Sequence, residues 1–167
     1  MDVKLQGFAD LDRALQDIEK QATRKAVLRR ALKKAAEPMA ALAASMAPDD
    51  PSTTGFDLRK SIKVGPRLSR SQKKAHRKMF RDDKAAVEMF VGAGPLPQAG
   101  FVEFGTSPHI NGGKFAGTSH PGTSPRPFMR PAWDQDKGPL LDRLGEEIAA
   151  DLAKTAARIA RKAAQGA

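Results

Sequence analysis

The stretch GPLLDRLGEEIAADLAKTAARIARKA, residues 138–163, decides how the rest of the chain is read. Its apolar residues Leu140, Leu141, Leu144, Ile148, Leu152, Ile159 and Ala163 recur three and four apart, which gathers them on one side of an α-helix. Acidic Asp142, Glu146, Glu147 and Asp151 lie toward its front and basic Lys154, Arg158, Arg161 and Lys162 toward its end, the order that complements the helix dipole. Gly138 and Pro139 are predicted to mark its start, with Pro127, Phe128, Met129 and Pro131 leading into it.

A helix with one apolar side needs something to cover that side. The same spacing recurs upstream in Val27, Leu28, Ala31, Leu32, Ala35, Met39, Leu42 and Met46, predicting a second long helix over residues 23–46. Arg24, Lys25, Arg29, Arg30, Lys33 and Lys34 fill its other positions, and Pro38 is expected to kink it. Leu11, Ala14, Leu15 and Ile18 predict a shorter helix begun by Asp10 or Asp12, and Val3, Leu5 and Phe8 a short strand or extended arm before it.

Between the long helices the period changes. A connector rich in turn formers, residues 47–55, precedes Leu58–Val64, where Leu58, Ile62 and Val64 predict a strand. Ala86–Val91, with Val87, Met89 and Val91 facing one way, predicts its antiparallel partner. The segment joining them holds Arg67, Arg70, Lys73, Lys74, Arg77, Lys78, Arg81 and Lys84, with acids only at Asp82 and Asp83: a basic hairpin arm. Residues 70, 73, 74, 77, 78 and 81 would share one helical face, while Met79 and Phe80 are its apolar anchors, so the arm is expected to become ordered on docking. Residues 106–126 are a long Gly/Pro loop in which no regular element is predicted.

The fold class expected is α+β: long amphipathic helices on a small antiparallel sheet, in one domain of 167 residues. Its parts are an N-terminal strand and helices over 1–47, the sheet with the basic arm 67–84 over 56–105, the loop 106–126 and the C-terminal helix 127–167. Hydrophobic residues make up 40% of the chain, but alanine supplies many of them, so the core is expected to be thin and to gain stability from neighbouring subunits. With 29 Lys and Arg against 19 Asp and Glu, the net charge of +10 favours an acidic or polyanionic partner. There is no cysteine, which excludes disulfides and thiolate chemistry. The start MDVKLQGFADLD has neither the basic nor the apolar region of a secretory signal, so synthesis in the cytoplasm is expected.

Enzyme readings find little to stand on. His109 and His120 flank the glycine-rich loop without Cys, Asp or Glu to complete a metal set; Gly92-Ala93-Gly94 lacks the lysine of a phosphate loop; Ser107 and Ser119 lack the setting of a nucleophile. No catalytic, cofactor-binding or metal-ligating residue is expected. Glu103, a carboxylate among apolar residues, is expected to pair with an arginine such as Arg126 or Arg130, or to face water.

Phe101-Val102-Glu103-Phe104-Gly105-Thr106-Ser107 and Pro125-Arg126-Pro127-Phe128-Met129-Arg130-Pro131-Ala132, in that order, closely resemble the signature of the bacteriophage tail-component family known for head-tail joining or tail completion. Thr54-Gly55-Phe56-Asp57-Leu58-Arg59-Lys60-Ser61-Ile62 is similar to that family's strand start, so the resemblance runs from about residue 54 to 133. Gly105 suits a sharp turn after a buried segment, Pro127 and Pro131 fix backbone angles, and Phe104, Phe128 and Trp133 are expected to carry packing.

The resemblance implies a structural virion protein of the phage neck: a ring, sixfold in symmetry, between the tail tube or tail terminator and the head connector or stopper. The arm would then either line the channel along which the packaged DNA passes or dock on an acidic face of the next ring. A rival reading is a nucleic-acid-binding protein that uses the arm without sequence specificity. A membrane role is set aside because residues 23–46 offer few bulky apolar anchors.

Overall fold

The computed structural model of the chain describes residues 21–49, 57–81, 87–94 and 96–165. These form α1 (Gln21–Met46), α2 (Leu58–Ser61), β1 (Lys63–Gly65), α3 (Arg70–Met79), β2 (Phe90–Gly92), α4 (Gln98–Phe104), β3 (His109–Ile110), β4 (Ser119–His120) and α5 (Met129–Gln165). β1 pairs with β2 and β3 with β4, so the fold is α+β with very short strands. The strand expected at Val3–Phe8, the helix expected from Asp10 and Lys84 of the arm lie outside the described residues.

The chain divides into two compact units. One holds α1 as far as Pro38, residues Val64–Phe90 and α5 from Asp136. Here the apolar periodicities of the two long helices meet: Val27 and Ala31 pack with Ile148 and Leu152, bordered by Leu28 and Leu144. Arg30 reaches Asp151 at 2.7 Å and Lys34 reaches Glu147 at 3.0 Å, aligning the helices at the rim of that seam. Such partly exposed pairs contribute no more than about 1 kcal/mol each. Close to Pro38, where the ladder of helical hydrogen bonds is interrupted, Arg143 donates from Nε and Nη2 to the Ala35 carbonyl at 3.2 and 3.0 Å. Nη2 of Arg143 also holds the buried Asp136 carboxylate at 2.5 Å.

The other unit comprises Met39–Lys63 and Val91–Gln135, with Met39, Ala40, Ala43, Leu58, Ile62, Phe128 and Ala132 among its buried residues. Arg59 donates from Nε to the Ala47 carbonyl at 2.8 Å, covering one of the free carbonyls just past α1. Among the described residues, more than half of the buried apolar ones are alanine. Small side chains let helices approach closely, but each buries little area, so the few bulky ones carry a large share of the stability.

Three expectations about the elements are corrected. Leu58–Ser61 is a helical turn and not the start of a strand, because Asp57 accepts from the Lys60 amide at 3.2 Å and caps it; the strand is confined to Lys63–Gly65. α5 starts at Met129 and runs through Gly138 and Pro139, because the Glu103 carboxylate caps it there. The stretch 106–126 is not without regular structure. His109 pairs with His120 and Ile110 with Ser119 in an antiparallel ladder, closed by a turn of 3-10 helix at Gly113–Phe115.

Candidate functional site

The start of α5 depends on a residue far away in sequence. The first amides of a helix have no partner within it, and here the flanking residue Phe128 has no side-chain acceptor to offer. Glu103 supplies it: Oε2 accepts from the amides of Phe128 at 2.8 Å and Met129 at 2.9 Å, and Oε1 from that of Arg130 at 3.0 Å. Pro131 has no amide to satisfy, and the Ala132 amide makes the first helical bond, to the Phe128 carbonyl at 3.4 Å. Every amide of the first turn is thus accounted for, which fixes the start nine residues ahead of the expected Gly138. Burial alone would raise the Glu103 pKa, but three amides and the charge of Arg130 outweigh it and hold the carboxyl below its ordinary value of 4.5.

The rest of the two motif halves extends this clasp. The Arg126 amide donates to the Val102 carbonyl at 2.7 Å, and Thr106 and Thr123 exchange backbone bonds at 3.0 Å. Their hydroxyls meet at 3.1 Å. Gly105 and Gly122 flank that bridge with φ of 71° and 86°. A Cβ on Gly105 would lie 2.5 Å from the Thr123 carbonyl oxygen, and one on Gly122 would collide with that of Thr106. Both positions therefore demand glycine for conformation and for space.

The clasp buries Glu103 and Phe128 and leaves the neighbouring aromatics outside. Phe104 is 75% exposed, Phe101 58% and Trp133 49%, so of the three aromatics expected to carry packing only Phe128 does so. The reason is helical geometry: Phe101–Phe104 belongs to α4, whose inward position is taken by Glu103. Neither Arg126 nor Arg130 forms the expected salt bridge with Glu103, although the charge of Arg130 acts on it. In the hairpin, Ile110 and Phe115 are also exposed, while Pro125 and Pro127 lie at the surface.

His109 and His120 stack across the β3–β4 ladder with centroids 4.9 Å apart. Nδ1 of His109 lies 2.8 Å from the Ser107 carbonyl, and Nδ1 of His120 accepts from the Gly122 amide at 3.0 Å. These bonds give both rings a structural task within the hairpin. Among the described residues no three of His, Asp and Glu come together as a ligand set.

The predicted arm is a helix within the single chain. Ser69 begins α3 with a capping box: its Oγ accepts from the Gln72 amide, and Gln72 Oε1 accepts from the Ser69 amide. His76 is the half-buried residue that ties α3 to the strand region, its ring 4.9 Å from Phe80 and 5.3 Å from Phe90, with Nε2 3.5 Å from Glu88. Arg67, Arg70, Lys73, Lys74, Arg77, Lys78 and Arg81 are all exposed. No described helix is long and apolar enough to cross a membrane.

The role of Glu103 escaped the sequence reading, although a signal was present. Between Glu88 and Asp134 it is the sole acid, and no side chain next to Phe128 could cap the helix that follows. The exposed Phe101, Ile110 and Phe115 left no such trace, since an apolar residue in a loop reads the same whether it packs inward or outward.

No curated protein and no solved structure matches the chain. Residues 9–105 match the model of a family described as "Bacteriophage HK97-gp10, putative tail-component". The match includes Val102, Glu103, Phe104 and Gly105 and ends before the second half of the clasp.

Proposed function

Since the chain belongs to this family of bacteriophage tail components, we propose that it is a structural subunit of the phage neck, a tail-completion or head-tail joining protein without enzymatic activity. Copies close into a ring, sixfold in the form the resemblance implies, between the tail tube or terminator and the head connector or stopper. Closed cyclic symmetry suits a conduit for DNA.

The observation that carries the reading is the clasp and what it leaves outside. Glu103 locks α4 to the first turn of α5, so Phe101 and Phe104 stand on an anchored helix and not on a loose loop. Aromatic anchors of this kind are what protein interfaces enrich and bury. A thin core of alanines has the most to gain from such contacts. The hairpin 106–126 supplies further contacts, the basic segment 67–84 faces the packaged DNA or an acidic partner, and Val102, Gly105, Thr106, Pro125, Pro127 and Pro131 act as framework.

The test is to withhold the chain during phage assembly. Full heads and finished tails that fail to join are the expected products, and antibody labelling of wild-type particles should mark the neck. Intact infectious particles made without the chain would overturn the reading. The rival, a DNA-binding protein outside the virion, predicts normal particles lacking the chain altogether.

A further inference from the structure

α3 carries charge that nothing among the described residues neutralises. Arg67, Arg70, Lys73, Lys74, Arg77, Lys78 and Arg81 are exposed, and among the described residues none of the seven forms an ion pair. Arg70, Lys73, Lys74, Arg77 and Lys78 recur three and four apart, so they share one side of the helix, with Arg67 before it and Arg81 after it. His76, the half-buried member, lies on the other side against Phe90, Phe80 and Glu88. The helix is thus seated through one ring while its cations point away from the unit.

We infer that this side of α3 is a contact surface for the phosphate backbone of duplex DNA, read without regard to sequence. Three observations choose that ligand. Cores of protein interfaces are depleted in charge and rich in aromatics, whereas this surface is Lys and Arg throughout. Single strands are held by stacking successive bases on several aromatic rings, and the segment offers one phenylalanine, Phe80, half-exposed with its ring tilted against His76. Reading bases takes amide or guanidinium groups positioned for an edge, and Gln72, the amide side chain of α3, is tied into the cap. What remains is neutralisation of phosphates with release of counterions.

The inference stands on α3 alone and does not rest on the neck reading, so either can fail without the other. Its test is fluorescence anisotropy of a labelled random-sequence 24-base-pair duplex titrated with the full chain. If about four phosphates are neutralised, raising salt from about 100 to about 200 mM should weaken binding by about tenfold. R70E/K74E/R77E should lose at least that much, and neutralising R70Q/K74Q/R77Q should flatten the log–log salt slope from about −4 to about −1. Because the three side chains are exposed, the thermal melt of the Gln variant should match the wild type, which separates lost contact from lost fold. Three results would overturn the inference: no duplex binding at the lower salt, unchanged binding by the Gln variant, or equally tight binding to poly-L-glutamate, which would point to an acidic protein face instead.

Discussion

Glu103 satisfies three amides with one carboxylate, and its loss leaves all three without that acceptor near a buried Phe128. E103A should lower the unfolding free energy by about 2 to 3 kcal/mol, and E103Q by less, since the amide keeps one acceptor oxygen. Urea midpoints measure both, and a shift in E103A of only a few tenths of a kcal/mol would refute the cap. The pH dependence has a definite sign. With the folded pKa held below the ordinary 4.5, the carboxylate contributes its full stabilisation above that value and loses it as pH falls through the lower one. The acid limb of the stability curve should therefore be flatter in E103A. At Gly122 an added methyl meets the Thr106 carbonyl in a backbone conformation that side chains resist, so G122A should cost about 1 to 3 kcal/mol. Faster hydrogen exchange at the amides of Thr106 and Thr123 would report it; unchanged exchange would count against the bridge.

Among the elements, the seam between α1 and α5 carries the unit it belongs to. I148A removes one of its few bulky buried side chains and should cost about 2 to 5 kcal/mol, whereas L141A, at a position 54% exposed, should stay within about 0.5 kcal/mol. Equal losses in the two would mean that the seam is misassigned. Both long helices were legible in the sequence because their apolar spacing is set by local geometry and repeated over many turns. The basic side of α3 was legible for the same reason. What periodicity did not reveal were elements governed by a single carboxylate: the helical turn at Leu58 set by Asp57, and the start of α5 set by Glu103. Gly138 and Pro139 read as a helix start because local signals favour one there, and a partner distant in sequence overrode them. The β3–β4 ladder was hidden because its strands are only two residues long, too short for an alternating pattern.

For the assembled particle the unit bearing the clasp and the unit bearing α3 predict separable defects. F101S/F104S removes two exposed anchors while leaving Glu103 and Phe128 in place, so the chain should fold with an unchanged melt yet fail to join heads to tails. Normal joining would remove those residues from the interface. The candidate surfaces were therefore only half visible beforehand: cations announce themselves by charge, while an outward-facing phenylalanine is recognised only once the helix beneath it is known. One last consequence concerns the excursion pinned at Thr106 and Thr123. Since its feet are tied together at the base, by Oγ1 atoms 3.1 Å apart and two backbone bonds, whatever is spliced in at its far end hangs from a closed ring of chain. Lengthening such a ring adds little entropic cost, so an epitope grafted at Lys114 should ride on the particle without loosening the helix below.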